Sequence, residues 1–449
     1  MSGHRLLDDL SARTPTGDPA EWLAAVRADA TAALSEGGLP TRKHESWRFT
    51  PLRGIVDRLY EPAHQPTSPD PGQAREIYTW LDQQLDADDS ARVAVVDGRL
   101  CPPPTPALPA GVELVRLADA DDELRRAAAT LVGRLARVEH FAALNAALFE
   151  DLVLLRVRAG ARPDVPVHLV YTGAPGAPGT DTTGAAVVCY PRVLVMLDPG
   201  AELCLIETAL MHPDQPRLVS AVTEIALAPE TALEHVRVHR GAPAPAEAYC
   251  VAHVAVRQDR GSRYDSRVVT LGGALTRLDL DVTLAGPNAA CRLDGAYHAG
   301  RGDHVDHQTR IDHEVPSCTS HERYHGIVDE TGHAVFDGTI VVRPGAQHTD
   351  AHQENRNLLL SDDAVVNTKP HLRIDADDVS CSHGATVGAL DDDQLFYLRA
   401  RGVDEARARA VLTYAFIRAV VDDIPHRPLA ASLAAAVRAR LPHGEDLED

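Results

Sequence analysis

Histidine is concentrated between residues 298 and 352, where several imidazoles stand beside carboxylates, as in Asp303–His307 and Asp312–Glu314. Imidazole and carboxylate together suit zinc or non-haem iron, so an independent His-rich metalloenzyme is one hypothesis. Side chains alternate between the faces of a strand, which puts His304 and Asp306 on one face and His307 on the other. No triad of two histidines and a carboxylate can be read from this spacing, and a polar, hydrogen-bonded face is the alternative. The histidines are 298, 304, 307, 313, 321, 325, 333, 348 and 352.

A second candidate site lies in the segment Val379–Thr386, which contains Cys381 and His383. If this segment is a strand, the two residues point the same way and set a thiolate beside an imidazole, a pair suited to iron. Two ligands do not complete a tetrahedral site, so the remaining ligands would have to come from another segment or another chain. A buried cysteine with a hydrogen-bonded histidine is the alternative.

Common nucleotide-binding and hydrolase motifs are missing from the sequence. It contains neither Gly-x-Gly-x-x-Gly after a strand, nor the phosphate loop Gly-x-x-x-x-Gly-Lys-[Ser/Thr], nor the Gly-x-Ser-x-Gly elbow. The chain is therefore not expected to hydrolyse ATP through a P-loop. We predict no catalytic residue and a non-enzymatic role.

Composition and charge narrow the class of protein. The 449 residues are 44% hydrophobic, which is ample for a large core, and the net charge of −21 disfavours nucleic acid and anionic membranes as partners. The seven cysteines form no Cys-x-x-Cys pair, which fits a reducing compartment. The first residues lack the pattern of a signal peptide, and no run reaches the about 18 apolar residues of a membrane span. We expect a cytoplasmic protein.

The first part of the chain, residues 1–155, predicts an α-rich domain. A capping box at Asp18–Glu21 begins a helix that continues to about Ser35. Four prolines make Pro62–Gly72 a linker or surface loop, and one short strand is expected at Val93–Val96 between helical patterns.

Residues 156–389 predict a β-rich core, because short β-type runs recur there between turn residues. Such a string fits either a β-solenoid, whose coils bury their inner faces on one another, or a β-sandwich. An exposed solenoid edge could also pair two copies of the chain into a homodimer. The candidate strands are Val165–Tyr171, Ala186–Leu197, Glu202–Glu207, Ala221–Leu227, Leu233–His239, Cys250–Arg257, Tyr264–Leu271 and Leu275–Leu284.

Residues 390–449 predict a module of short helices. Acidic residues at Asp391–Asp393 begin the first helix, and Gly402 ends it. Asp404 caps a second helix that runs to about Val421, and a third covers Leu429–Leu441. The module could dock a partner or simply cap one end of the core.

Several segments carry a family resemblance. The C-terminal half closely resembles the SufB/SufD family, and two N-terminal segments resemble its signatures. The form Cys381–Thr386 is similar to the SufD branch rather than to the SufB branch. His325 and His348 depart from the lysines expected in the family. The segments are Glu45–Leu52, Phe141–Leu148, Thr339–Ser361, Asn367–Pro370, Ala376–Gly388 and Gln394–Gly402.

The resemblance implies a right-handed parallel β-helix flanked by helical segments. It implies a scaffold subunit for iron–sulfur cluster assembly that pairs with a SufB-like subunit and binds a SufC-like ABC-type ATPase through residues 390–421. By the same resemblance, His383 with Cys381 faces the partner where a transient, shared cluster forms, and a reduced flavin could bind the complex. The implied partner-binding residues are Gln394, Leu395, Phe396, Tyr397, Arg401, Gly402 and Phe416.

Overall fold

Two facing β-sheets, each extended by one strand in every coil of a parallel β-solenoid, form the centre of the computed structural model. The structure describes residues 21–63, 70–86, 88–103, 108–137, 139–173, 186–211, 216–241, 247–444 and 447. The expected capping box at Asp18–Glu21 lies outside them except for Glu21, the first residue of the first helix.

Strands of the first sheet, sheet A, follow the order β20-β18-β16-β14-β12-β10-β8-β5-β4, with β7 and then β1 beside β10. All of its pairings are parallel except that of β4 with β5. The strands are β1 (Tyr60–Pro62), β4 (Val112–Arg116), β5 (Leu152–Val157), β7 (Ala186–Cys189), β8 (Arg192–Leu197), β10 (Arg217–Leu227), β12 (Ala248–Gln258), β14 (Leu275–Leu284), β16 (His304–His313), β18 (His333–Val342) and β20 (Val365–Ile374).

The second sheet, sheet B, follows the order β21-β19-β17-β15-β13-β11-β9-β6-β2-β3, with only β2 and β3 antiparallel. Its strands are β2 (Ala91–Val96), β3 (Arg99–Cys101), β6 (Val167–Thr172), β9 (Glu202–Leu210), β11 (Ala232–Arg240), β13 (Arg263–Leu271), β15 (Ala290–Ala299), β17 (Thr319–Val328), β19 (Thr349–Leu359) and β21 (Val379–Gly388). From β8 to β21, successive strands along the chain alternate between the sheets, as the coils of a solenoid require. The solenoid prediction is confirmed.

Helices both precede and follow the solenoid along the chain. They are α1 (Glu21–Gly37), α2 (Arg53–Val56), α3 (Pro71–Gln84), α4 (Asp122–Leu131), α5 (His140–Leu148), α6 (Asp392–Ala400), α7 (Glu405–Val421) and α8 (Arg427–Arg438). Single-turn 3-10 helices lie at Glu45–Trp47 and Leu117–Asp119. The C-terminal helices pack their apolar side chains on the outer face of sheet B, where Ile417 and Val421 meet Val236 and Ile327.

Two sequence predictions need correction. The single strand expected over Ala186–Leu197 is two strands, β7 and β8, because Pro191 has no N–H to donate and the chain breaks at that point. The stretch Pro62–Gly72 is not all loop, because Asp70 caps α3 and accepts hydrogen bonds from Gly72 and Gln73. Residues 64–69 of that stretch lie outside the described ranges.

The N-terminal part contributes more strands than the one expected, and β2 to β5 extend the two sheets. The boundary expected at residue 155 falls inside β5, which pairs with β8 of the solenoid. Asn145 on α5 ties this part to the solenoid by donating to the carbonyl oxygens of Pro191 and Ser220, at 2.9 and 2.7 Å. The segment Phe141–Leu148, which carries part of the family resemblance, thus anchors the N-terminal part to the solenoid.

Candidate functional site

The last coil of the solenoid, formed by β20 and β21, is a candidate site because it is an uncovered end. Each of the two strands stands last in its sheet and is paired along one edge within the described residues. Three large apolar side chains are exposed in this coil: Val365 at 45%, Ile374 at 41% and Val387 at 46%. We call β20 and β21 with these side chains the terminal coil. A free edge of this kind offers unpaired N–H and C=O groups to another chain.

Cys381 and His383 both lie on β21, so the predicted strand is confirmed and their side chains share one face of it. Their partners on β19 are Ala351 and Gln353, which are buried in the interior between the two sheets. The two residues therefore point toward that interior at its open end. Burial raises the pKa of the Cys381 thiol, which favours the neutral thiol in the free chain.

Behind His383, an interior row of polar side chains runs back into the solenoid. The register aligns Glu322, Gln353 and His383 on consecutive strands of sheet B. Gln353 Nε2 donates a 2.6 Å hydrogen bond to Glu322 Oε2. Burial raises the pKa of Glu322 to about 7, and the hydrogen bond from Gln353 opposes the rise. We call these three side chains the interior ladder.

Glycine makes room for the interior ladder. A Cβ atom on Gly338 would lie 1.9 Å from Gln353 Nε2, so any larger residue there would displace the amide. Asn355 and Asn357 form a second polar row beside it, in which Asn357 Nδ2 donates to Asn355 Oδ1 at 2.6 Å and Tyr297 donates to Asn357. Sequence reasoning missed both rows. Their signal was the alternation of polar residues Gln353, Asn355 and Asn357 along a strand.

The nine histidines at 298–352 do not converge on one point. His304 and Asp306 both contact the hydroxyl group of Thr50 on the outside of sheet A, at 3.2 and 2.6 Å, whereas His307 lies inside, with its ring centroid 5.3 Å from that of Tyr297. His352 is held by Ser382 and Asp350 on the outer face of sheet B. Among the described residues, no group of three or more His, Cys, Asp or Glu is placed to share a metal ion. The metalloenzyme alternative has no assembled site there.

Buried histidines make stability depend on pH. Burial lowers the pKa of His298, His307 and His313 to about 4, below the 6.5 of an exposed imidazole. The unfolded chain therefore binds more protons between pH 6.5 and about 4, and the free energy of unfolding should fall as the pH falls through that window. We expect His307→Phe to make this fall shallower by up to about 1.4 kcal/mol per pH unit, since one titrating group is removed.

Urea unfolding at pH 7.5 and pH 5 would measure this effect. Phenylalanine keeps the ring between Tyr297 and Tyr324, and neither ring nitrogen of His307 has a hydrogen-bond partner among the described residues. The exposed His371 is a matched control, because His371→Phe removes an imidazole that is not buried. If His307→Phe shows the same pH dependence of unfolding as the wild type, buried His307 does not contribute to that dependence.

The C-terminal helices present a second surface. Phe396 is 74% and Tyr397 56% exposed on α6, and the Arg401 guanidinium lies 4.5 Å from the Tyr397 ring centroid. Leu395 is buried, and the Phe416 ring stacks on His325 with centroids 4.9 Å apart. Leu395 and Phe416 were both predicted to bind a partner, but in this structure their side chains pack against the rest of the same chain. Gln394 belongs to the first turn of α6, and Gly402 ends the helix with a φ of 88°.

The segment Glu45–Thr50 crosses the outer face of sheet A. The Arg277 guanidinium lies 3.7 Å from the Trp47 ring centroid and donates to the carbonyl oxygen of Ser46 at 2.7 Å. Glu45 accepts a 2.5 Å hydrogen bond from Lys369 on β20. These contacts link an N-terminal signature of the sequence to the terminal coil.

Two protein-family models match the chain. The family model described as "SUF system FeS cluster assembly, SufBD core domain" matches residues 180–416, and the family model described as "SufBD protein N-terminal region" matches residues 14–169. The chain belongs to the SufBD family. The first match covers most of the solenoid and reaches into α7, and the second covers the N-terminal helices and strands.

Named relatives of this SufBD protein extend along almost its whole length. It is 31% identical to the iron–sulfur cluster assembly protein SufD of Escherichia coli (strain K12), over 92% of this chain and 91% of the relative. It is 29% identical to the chloroplastic protein ABCI7 of Arabidopsis thaliana, over 94% and 86% of the two chains. A SufBD family protein of Synechocystis is 30% identical over 90% and 87%. In the described part of the SufBD chain, no helix is both long and apolar enough to cross a membrane.

Proposed function

We propose that this SufBD protein is a SufD-type scaffold subunit, which pairs with a SufB-like subunit through the terminal coil and binds a SufC-like ABC-type ATPase through α6 and α7. One observation carries the proposal. Of the six exposed large apolar side chains among the described residues, three lie in the terminal coil and two, Phe396 and Tyr397, on α6. Exposed apolar patches on soluble proteins mark interaction sites.

The terminal coil fits a partner that is itself a β-solenoid. A second solenoid can supply strands that continue both sheets and cover Val365, Ile374 and Val387 in one step. A SufB-like chain has the required fold by family relationship. When that partner is missing, a second copy of this chain could occupy the same edge as a homodimer.

A nascent iron–sulfur cluster at the joint would be cargo shared between the two subunits. His383 could supply an imidazole ligand from the interior face of β21, and Cys381 stands two residues earlier on the same face. The raised pKa of Cys381 means that its thiol would lose a proton on binding iron. The partner would complete the ligand set. The protein would act as a scaffold without catalysing a reaction itself.

The C-terminal surface suits an ATPase because it is apolar at its centre and charged around it. Phe396 and Tyr397 are flanked by Arg401 and by the acidic N-terminus Asp391–Asp393. Aromatic side chains with a nearby arginine are common energetic centres of protein interfaces. We further propose that the complex works in the cytoplasm, where the seven free thiols stay reduced. A reduced flavin in the complex stays a prediction.

Co-purification from cells that co-express the three subunits tests both interfaces. We expect Val387→Lys to lower retention of the SufB-like subunit at least tenfold, because a charge would be buried at the joint. Phe396→Ser with Tyr397→Ser should lower retention of the ATPase by a similar factor and leave the SufB-like subunit bound.

Leu59 provides the matched control, because it is 44% exposed but lies outside both surfaces. Leu59→Ser should retain both partners at the wild-type ratio. If the tagged wild-type chain never retains either partner, the proposed function is wrong. If Val387→Lys and the α6 double variant lose the same partner, the assignment of one surface to each partner is wrong.

A further inference from the structure

A buried hydrogen-bond acceptor stands directly behind the proposed cluster ligand. Gln353 is 3% exposed, and its Oε1 atom has no hydrogen-bond partner among the described residues. A buried acceptor without a partner destabilises a fold, so the unpaired Gln353 oxygen calls for an explanation. The neighbour of Gln353 on the open side is His383, its register partner on β21.

The orientation of the Gln353 amide is fixed from the other side. Its Nε2 atom donates to Glu322 Oε2 at 2.6 Å, so the NH₂ end of the amide is the end that contacts Glu322. Gly338 leaves the space that the amide occupies. The amide oxygen is therefore the end of the side chain that is available to accept a hydrogen bond from His383.

We propose that Glu322 and Gln353 are positioning residues for His383, with Gln353 Oε1 accepting a hydrogen bond from one ring N–H so that the other ring nitrogen keeps its lone pair for iron. This inference rests on the proposed function, because it assigns a task to the interior ladder only if His383 serves the cluster. A histidine ligand commonly donates its second N–H to such an acceptor, which fixes the tautomer and the ring orientation.

The interior ladder connects the exposed residue His383 to the buried interior of the solenoid. His383 is exposed on the terminal coil, whereas Glu322 and Gln353 are both 3% exposed inside the solenoid. The rigid part of the fold thus reaches the exposed ligand through a single amide. Loss of the Gln353 amide should leave the His383 ring less firmly oriented, without disturbing the terminal coil or the exposed surface of α6.

The experiment uses the complex of this chain with its SufB-like and SufC-like partners, purified without oxygen. The readouts are cluster content, the visible circular dichroism of the cluster, and the rate at which a ferrous chelator removes iron. We expect Gln353→Met to speed iron loss about tenfold and to alter the dichroism. Gly338→Ala should act in the same direction, because its Cβ would displace the amide, and it provides a second route if Gln353→Met folds poorly.

The matched control is Glu354→Gln, which changes the adjacent residue on the outer face of β19 and should match the wild type. Wild-type dichroism and iron loss in both Gln353→Met and Gly338→Ala would overturn the inference.

His383→Ala in the same preparation separates the two proposals. If His383→Ala loses the cluster and Gln353→Met behaves as wild type, only the ladder is wrong. If His383→Ala keeps a normal cluster, the role of His383 in the proposed function fails, and the inference built on it fails too.

Discussion

Replacing His383 by alanine should abolish cluster formation while the complex still assembles. His383 lies at the open end of the solenoid interior, on the exposed strand β21, where a partner chain can bring further ligands to it. Removing an imidazole ligand should lower the cluster content of the complex by about tenfold or more, since the loss of supporting contacts alone typically costs that much. Alanine leaves β21 able to pair, so the joint with the partner should form.

Iron and sulfide analysis of complexes isolated from co-expressing cells would measure the effect, with subunit ratios as the check on assembly. Ser382→Ala is the matched control, because Ser382 is the adjacent residue on the opposite face and binds His352. Cys381→Ala in parallel shows whether the thiol contributes. A normal cluster content in His383→Ala would make the chain an architectural partner, with the chemistry carried by other subunits.

Much of the solenoid could be predicted because its turns depend on short sequence segments rich in Pro, Gly and Asn. The turns Pro199-Gly200, Pro229-Glu230 and Pro287-Asn288 contain the residues Gly200, Glu230 and Asn288, which adopt positive φ angles of 72°, 61° and 61°. Each of these turns follows the end of a strand of sheet A. Local turn chemistry of this kind can be read without knowing which strands pair.

The interior ladder could not be predicted because it depends on register. Glu322, Gln353 and His383 are about 30 residues apart in sequence, and only the pairing of β17 with β19 and of β19 with β21 aligns them. The same holds for Arg277 and Trp47, which are more than 200 residues apart. Alternation predicted that Cys381 and His383 share a face, but the other side chains on that face come from separate coils.

A buried ion pair inside the solenoid carries the largest expected effect on stability. Glu207 is 1% exposed and accepts hydrogen bonds from Thr223, His235 and Arg237 at 3.0, 2.7 and 2.6 Å, and another from Tyr171. Burial acts to raise the pKa of Glu207, but the charge of Arg237 and these hydrogen bonds lower it well below its usual range. Glu207 is therefore ionised in the folded protein, and Arg237 is the cation that balances it.

Arg237→Leu should lower the free energy of unfolding by about 3–5 kcal/mol, because it leaves a carboxylate buried without its cation. Urea unfolding at pH 7.5 would measure the change, and the double variant Arg237→Leu with Glu207→Leu should recover most of it, since no charge is then left unpaired. Arg260→Leu is the matched control: Arg260 pairs with Glu230 at 2.5 Å, but each side chain is 57% exposed, so the cost should stay below about 1 kcal/mol. If Arg237→Leu costs no more than Arg260→Leu, Glu207 is not held as a charge inside the solenoid, and the interior would have to tolerate a neutral acid at that position.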